Sequence, residues 1–297
     1  MSKNKVIVTL TTIPSRLKNI NQTIDSIKNQ TYKPDEIVLT LPLESIREPC
    51  DCDPYDINEI NKIKDVTILR CDKDYGPATK LLGVLEREKD KNLDFENESL
   101  IITLDDDKKY DKECVKQLID GWKRNKSYVV ARKGSKIIKL KKTNKIYQNN
   151  KSRYDKLEGQ HEILLVGKSL SEDTLCSMIF GTGGILYRPS FFDYDIFNYK
   201  EHNKDFPDKE MFYTDDIFFS GYLAKKGIKK KIIKFDETEM TKKIDKLFKF
   251  KNNTGVIDDH SENRVINPLI NYNKTKLIDS HKCVKYFEKY LISITPE

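Results

Sequence analysis

Five short apolar runs punctuate the first 132 residues: "KVIVTL" (5–10), "EIVLTL" (36–41), "DVTILRC" (65–71), "SLIITL" (99–104) and "SYVVAR" (127–132). They are continuous rather than alternating, the mark of strands buried on both faces. Helical patterns separate them. Pro14 stands at a first helical position, and Leu17, Ile20, Ile24 and Ile27 follow at helical spacing until "TYKPD" breaks the pattern. "GPATKLLGVLERE" opens a second helix with Gly76 and Pro77 at its mouth, and Val115, Leu118, Ile119 and Trp122 line one face of a third. Strands joined through helices by short connections run parallel. The expected fold is therefore α/β, with a Rossmann-like, mostly parallel central sheet flanked by helices.

The rest is less regular. Residues 42–65 read as an irregular acidic segment around Asp51, Asp53 and Asp56. Lys133 to Lys151 is very basic, a strand or hairpin followed by a loop. "GQHEILLVGK" reads as a strand, and "MIFGTGGILYRPSFF" as a glycine-centred turn between apolar flanks. "TDDIFFSGYLAKKGI" reads as a helix with Thr214 as N-cap, acids in its first turn, lysines in its last and Gly227 at the stop. "KKKIIKF" makes a further strand, and a final helix is expected over Thr275–Ile292. No internal repeat or interdomain linker stands out. A chain of 297 residues suits one large α/β unit with an extension.

The balance of 54 Lys+Arg against 47 Asp+Glu gives a net charge of +7, which favours anionic ligands such as phosphates and nucleotides. A solvated lysine surface would give the same count. Six scattered cysteines without C-x-x-C spacing suggest neither a disulfide framework nor a zinc knuckle, and fit a reducing compartment. The first apolar run begins too early for a signal peptide, and no stretch has the apolar length to span a bilayer. A cytoplasmic location is the expectation.

In open α/β sheets, ligands bind beyond the carboxyl ends of the strands. Thr11 and Thr12 follow the first strand, Asp72 and Asp74 the third, and Asp105, Asp106 and Asp107 the fourth. Carboxylates held this close repel unless a cation neutralises them or one takes up a proton. Hard divalent metals such as Mg²⁺ or Mn²⁺ favour such oxygens and commonly share them with a diphosphate. A turn keeping Asp105 and Asp107 on one side leaves Asp106 as the spacer; the plainer reading is an acidic turn capping the next helix. Gly76, Pro77 and Lys80 sit at a helix N-terminus, where amides and a lysine one turn in can meet a phosphate. Asp215 and Asp216 complement a helix dipole, or supply a general base in a cleft. "GTGG" (181–184) permits close backbone approach to a ligand, or is a plain tight turn. His260, behind two acids in a polar loop, can complete a metal site. His161, His202 and His281 read as surface or packing residues.

The order "VTLTTIPSR", "YGPATKLLG", "TLDDDKKY", "GTGGILYRP" and "TDDIFFSGYLAKKGI" resembles the GT-A-fold glycosyltransferases of the family-2-like group, over about residues 3–235. The resemblance implies a GT-A-like domain at 1–235, with a nucleotide-binding half at 1–130 and an acceptor-side half at 131–235, then a C-terminal extension at 236–297. It implies a metal-dependent hexosyltransferase-type enzyme moving a sugar from a nucleotide-diphosphate sugar, a UDP-sugar in first place, to a hydroxyl of a glycan, protein or small molecule. Inversion is favoured. Thr11, Thr12, Arg16, Asp74, Lys80, Asp105 and Asp106 fall on the nucleotide side. Asp105 and Asp107, with His260, are the candidates to hold Mn²⁺ or Mg²⁺. Asp216 is the candidate base, and Asp215 orients the acceptor or exchanges roles with it.

Two departures stand out. The acidic residue usual at the end of the second strand is replaced by "LTLPLES", which moves base recognition towards Asp72, Asp74 or neighbours. "YRPS" replaces the expected Pro-Pro-Gly after "GGILY". The alternatives are a sugar nucleotidyltransferase, although "TTIPSR" lacks the glycine-rich signature loop of that class, and a basic nucleic-acid-binding module. The latter is disfavoured because Tyr147 is the sole aromatic within Lys133 to Lys151.

Overall fold

The computed structural model of the chain describes residues 4–89, 91, 97–139, 160–198, 210–236 and 280–293. The N-terminal part runs β1 (Val6–Thr11), a 3₁₀ turn (Pro14–Asn19), α1 (Asn21–Lys28), β2 (Glu36–Pro42), α2 (Ile57–Asn61), β3 (Thr67–Cys71), α3 (Thr79–Lys89), β4 (Leu100–Thr103), α4 (Cys114–Arg124) and β5 (Val129–Ala131). It continues with β6 (Lys133–Lys139), β7 (Gln160–Val166), β8 (Thr174–Leu175), β9 (Met178–Ile179) and β10 (Ile185–Tyr187). The last described elements are α5 (Glu210–Tyr213), α6 (Asp215–Lys225), β11 (Lys230–Ile232) and α7 (Ser280–Ser293).

Eight strands form the main sheet in the order β3-β2-β1-β4-β10-β5-β11-β8, and β7-β6-β9 form a smaller second sheet. β1 pairs in parallel with β2 and β4, β2 with β3, and β5 with β11. This is the Rossmann-like, GT-A-type arrangement expected from the sequence. Alternate β1 side chains explain the continuous apolar run. Ile7 packs with Leu81, Leu82 and Leu85 of α3 on one face. Val6, Val8 and Leu10 pack with Leu17, Ile20, Ile24 and Ile27 on the other, together with Val115 and Leu118 of α4. Both faces are covered, so neither can be polar.

Two local features differ from the sequence reading. "ILY" after the glycine turn is a strand inserted antiparallel between β4 and β5, with Leu186 opposite both Ile102 and Val130. The acidic segment contains helix α2, started by the Asp56 carboxylate accepting the Asn58 amide at 2.8 Å. The described part of the final helix covers Ser280–Ser293, and residues 275–279 of the expected helix lie outside the described residues.

α6 is buried along almost its whole length, from Asp215 and Ile217 through Ala224, so its sequence is apolar on every side. Thr214 occupies its N-cap position, and Gly227 ends it with φ +76°, a left-handed conformation that side-chained residues rarely adopt. α7 packs against α6 at Gly221, where a Cβ would lie 2.1 Å from Phe287 Cγ. The Phe287 ring meets Phe218 edge-on, with centroids 6.4 Å apart. Among the described residues no helix is long and apolar enough to cross a membrane.

Candidate active site

The carboxyl ends of β1 and β4, the start of α3, the Gly181–Gly183 turn and the start of α6 converge on one buried cation. Lys80 Nζ lies 3.0 Å from Asp105 Oδ1 and 2.9 Å from Asp215 Oδ2. Burial disfavours its charge, but Asp105, Asp215 and Asp216 together hold its pKa well above the ordinary lysine value. Thr9 anchors the same residue from beneath, its hydroxyl donating to the Lys80 carbonyl at 2.7 Å.

Asp216 is oriented by backbone. Its Oδ1 accepts the Gly181 amide at 2.9 Å. A Cβ on Gly181 would sit 3.2 Å from Asp105 Oδ1, 3.2 Å from Asp216 Oδ1 and 3.5 Å from Lys80 Nζ, so this glycine brings the turn against all three groups. Burial, then the neighbouring Asp215 charge, pushes the Asp216 carboxyl well above the usual carboxylate range. Asp105 moves the opposite way: burial would raise its pKa, but the charges of Lys80, Lys108 and Arg16 and the Lys80 hydrogen bond together outweigh that cost. Two carboxylates whose environments drive their pKa values apart are suited to different tasks, one charged and one exchanging a proton.

The aspartate triplet divides by direction. Asp106 turns inward: Oδ1 lies 2.8 Å from Arg16 Nη2, Oδ2 accepts the Thr12 hydroxyl at 2.5 Å, and its carbonyl accepts the Thr23 hydroxyl at 2.8 Å. Burial still raises its pKa, with the Arg16 charge offsetting part of the rise. Asp107 Oδ2 is 3.4 Å from the same guanidinium, while its Oδ1 is buried without a hydrogen-bond partner. Tyr110 fixes the turn, its hydroxyl oxygen accepting the Asp105 amide at 2.7 Å.

The other sequence candidates fall into two groups. Thr12 and Arg16 join the triplet as described. Thr11 and Asp74 make internal bonds instead. The Thr11 hydroxyl donates to the Thr40 carbonyl at 2.8 Å, and Asp74 accepts the Ile46 amide at 2.8 Å and the Gly76 amide at 2.7 Å. Asp72 is exposed. His260 and His202 lie outside the described residues, as does the basic stretch from residue 140 to 151. His161 falls on β7 in register with Ile138 of β6, and His281 lies in α7. The cysteines at 50, 52, 71, 114 and 176 are free thiols.

Sequence reasoning missed Tyr110 and Lys108. The Lys108 ammonium reaches the Thr182 carbonyl at 3.4 Å and adds positive charge beside Asp105. Both belong to the quoted "TLDDDKKY", but nothing in its spacing said which of them turns inward.

Asp105 and Asp107 suit a hard cation: the first is a carboxylate held ionised, and the second carries a buried oxygen with no hydrogen-bond donor. Among the described residues no three His, Cys, Asp or Glu side chains form a ready metal cage. A cation here would complete its shell with ligand oxygens, as Mg²⁺ and Mn²⁺ do with phosphates.

No protein-family description and no curated protein sequence matches the chain. Solved structures similar to it include S. aureus TarS 1-349, at 17% identity and TM-score 0.40, over 74% of this chain and 55% of that one. Another is CMP:2-keto-3-deoxy-manno-octonic acid synthetase complexed with CTP, at 10% identity and TM-score 0.42, over 84% of this chain and 100% of that one. The chain thus spans about half the length of the first of these.

Proposed function

We propose that the chain is a glycosyltransferase that transfers a sugar from a nucleotide-diphosphate sugar, first among candidates a UDP-sugar, to an acceptor hydroxyl. The observation that carries the reading is the buried Lys80, which joins Asp105, after β4, to Asp215, at the start of α6. In this reading Asp105 belongs to the donor side and Asp215 to the acceptor side, and their closeness supports a direct displacement, which needs the two substrates side by side.

In this reading Asp105 and Asp107 hold Mn²⁺ or Mg²⁺, which when bound neutralises charge on the departing diphosphate. Arg16 braces the turn through Asp106 and Asp107. Asp216 accepts the acceptor's hydroxyl proton: its raised pKa makes it a stronger base than an ordinary aspartate, and the Gly181 amide fixes the direction of one oxygen. Asp215 is tied to Lys80 and is therefore assigned to positioning. A base opposite the leaving group favours inversion of configuration.

The test is a panel of UDP-, GDP- and CMP-sugars, screened for thermal stabilisation and hydrolysis with and without Mn²⁺. Stabilisation by one nucleotide sugar, dependent on Mn²⁺ and lost in Asp107→Ala while the fold persists, is the expected result. Stabilisation by none of them removes the proposal. Release of pyrophosphate from CTP or UTP with a free sugar acid would instead identify a nucleotidyltransferase.

A further inference from the structure

Arg47 lies in the segment between β2 and α2 and is only 9% exposed. Its Nε is buried without a hydrogen-bond partner, and among the described residues no carboxylate forms an ion pair with it. The nearby acids are engaged elsewhere. Glu48 accepts the Ser15 amide at 2.9 Å and the Ser15 hydroxyl at 2.6 Å. Asp74 accepts the Ile46 and Gly76 amides. A buried guanidinium N–H without an acceptor costs stability, and proteins keep such costs mainly where a ligand makes the missing bond.

The segment is fixed in place. The Leu43 amide donates to the Cys71 carbonyl at 2.8 Å, Ile46 is bonded to Asp74, and Glu48 to Ser15. Arg47 therefore sits over the carboxyl ends of β1, β2 and β3. The Tyr55 hydroxyl, which donates to the Thr12 carbonyl at 2.8 Å, feels the Arg47 charge. Asp105, Asp106 and Asp107 lie at the end of β4 instead. In the order β3-β2-β1-β4, β2 and β4 are two strand spacings apart, about 10 Å. A nucleotide whose phosphates lie at β4 would place its base towards β2 and β3, where both Asp74 oxygens accept backbone amides and the Arg47 Nε has no acceptor.

We infer that Arg47 reads the nucleobase of the donor, giving a hydrogen bond from its guanidinium to a keto oxygen. The inference rests on the donor-binding reading above. A guanidinium has donors and no acceptor. It complements the carbonyl acceptors of uracil or guanine, whereas adenine presents an amino donor where guanine carries its O6. The site thus selects keto bases and disfavours adenine.

The experiment is calorimetry of the full chain in Mn²⁺ with UDP, GDP, ADP and inorganic pyrophosphate, on the unaltered protein, Arg47→Met and Arg47→Lys, with melting temperatures for each. The unaltered protein is expected to bind UDP or GDP more tightly than ADP. In Arg47→Met the preferred nucleotide should weaken about 10- to 100-fold, the loss of one charged hydrogen bond. ADP and pyrophosphate should change little, the melting temperature should not fall, and Arg47→Lys should recover part of the affinity. Equal weakening for pyrophosphate and every nucleotide would make Arg47 a phosphate contact and overturn the inference. An unchanged base preference, with or without a lower melting temperature, would also overturn it. If the unaltered protein bound no nucleotide, the glycosyltransferase reading itself would fall, and this inference with it.

Discussion

Asp216 Oδ1 accepts the Gly181 amide at 2.9 Å, so a backbone group of the turn that also meets Asp105 orients the candidate base. Asp216→Asn keeps the shape and removes the basic oxygen. Transfer should fall by about 10²–10⁴-fold with nucleotide affinity unchanged, the range for loss of a general base. Turnover at the unaltered rate would remove Asp216 from the chemistry.

Gly181→Ala places a methyl group 3.2 Å from both Asp105 Oδ1 and Asp216 Oδ1. The site must yield by a few tenths of an ångström, while the packing beneath is untouched. The expected result is a transfer rate reduced by about 10- to 100-fold with little change in melting temperature, since small displacements of reacting groups are costly. Equal activity in the two proteins would show that this approach is not needed.

Glu36 is a sensitive reporter of acid stability. Arg87 grips it through two contacts of 2.9 Å, and Lys5 adds one of 2.7 Å. Burial alone would raise its pKa, but these bonds outweigh it and take the carboxyl from 4.5 to about 2. A value depressed by folding contributes stability that is complete above pH 4.5 and is lost as the pH falls towards 2. Urea titrations of Glu36→Gln should show a protein weaker than its parent at pH 7, with the gap closing below pH 4. A constant gap across that range would contradict the assignment.

The strands that bury both faces were legible because burial leaves no room for polar residues: "KVIVTL" and "SLIITL" announce β1 and β4 without help from the rest of the chain. The three-residue β10 was not, since its place between β4 and β5 depends on partners far away in sequence and its own pattern is too short to show a period. The aspartate triplet marked a strand end carrying unusual charge, and the pair at Asp215-Asp216 marked another. That Lys80 would join them was not visible, because ion pairing across distant segments leaves no spacing rule. Asp74 and Arg47 show the same limit. An aspartate after a strand reads as a ligand contact until the structure gives both its oxygens to backbone amides, and an arginine in an irregular loop reads as surface until it is found buried.

The contact between Gly221 and Phe287 has a consequence for how the protein is made. α6, whose first turn carries Asp215 and Asp216, is complete in sequence well before Phe287 leaves the ribosome, yet the ring that covers its middle turn is supplied by α7. Until that residue emerges, Gly221 and its neighbour Phe218 lack this cover. The emerging chain therefore carries its candidate catalytic aspartates on a helix only partly buried, and that helix reaches its final packing only after α7 has emerged.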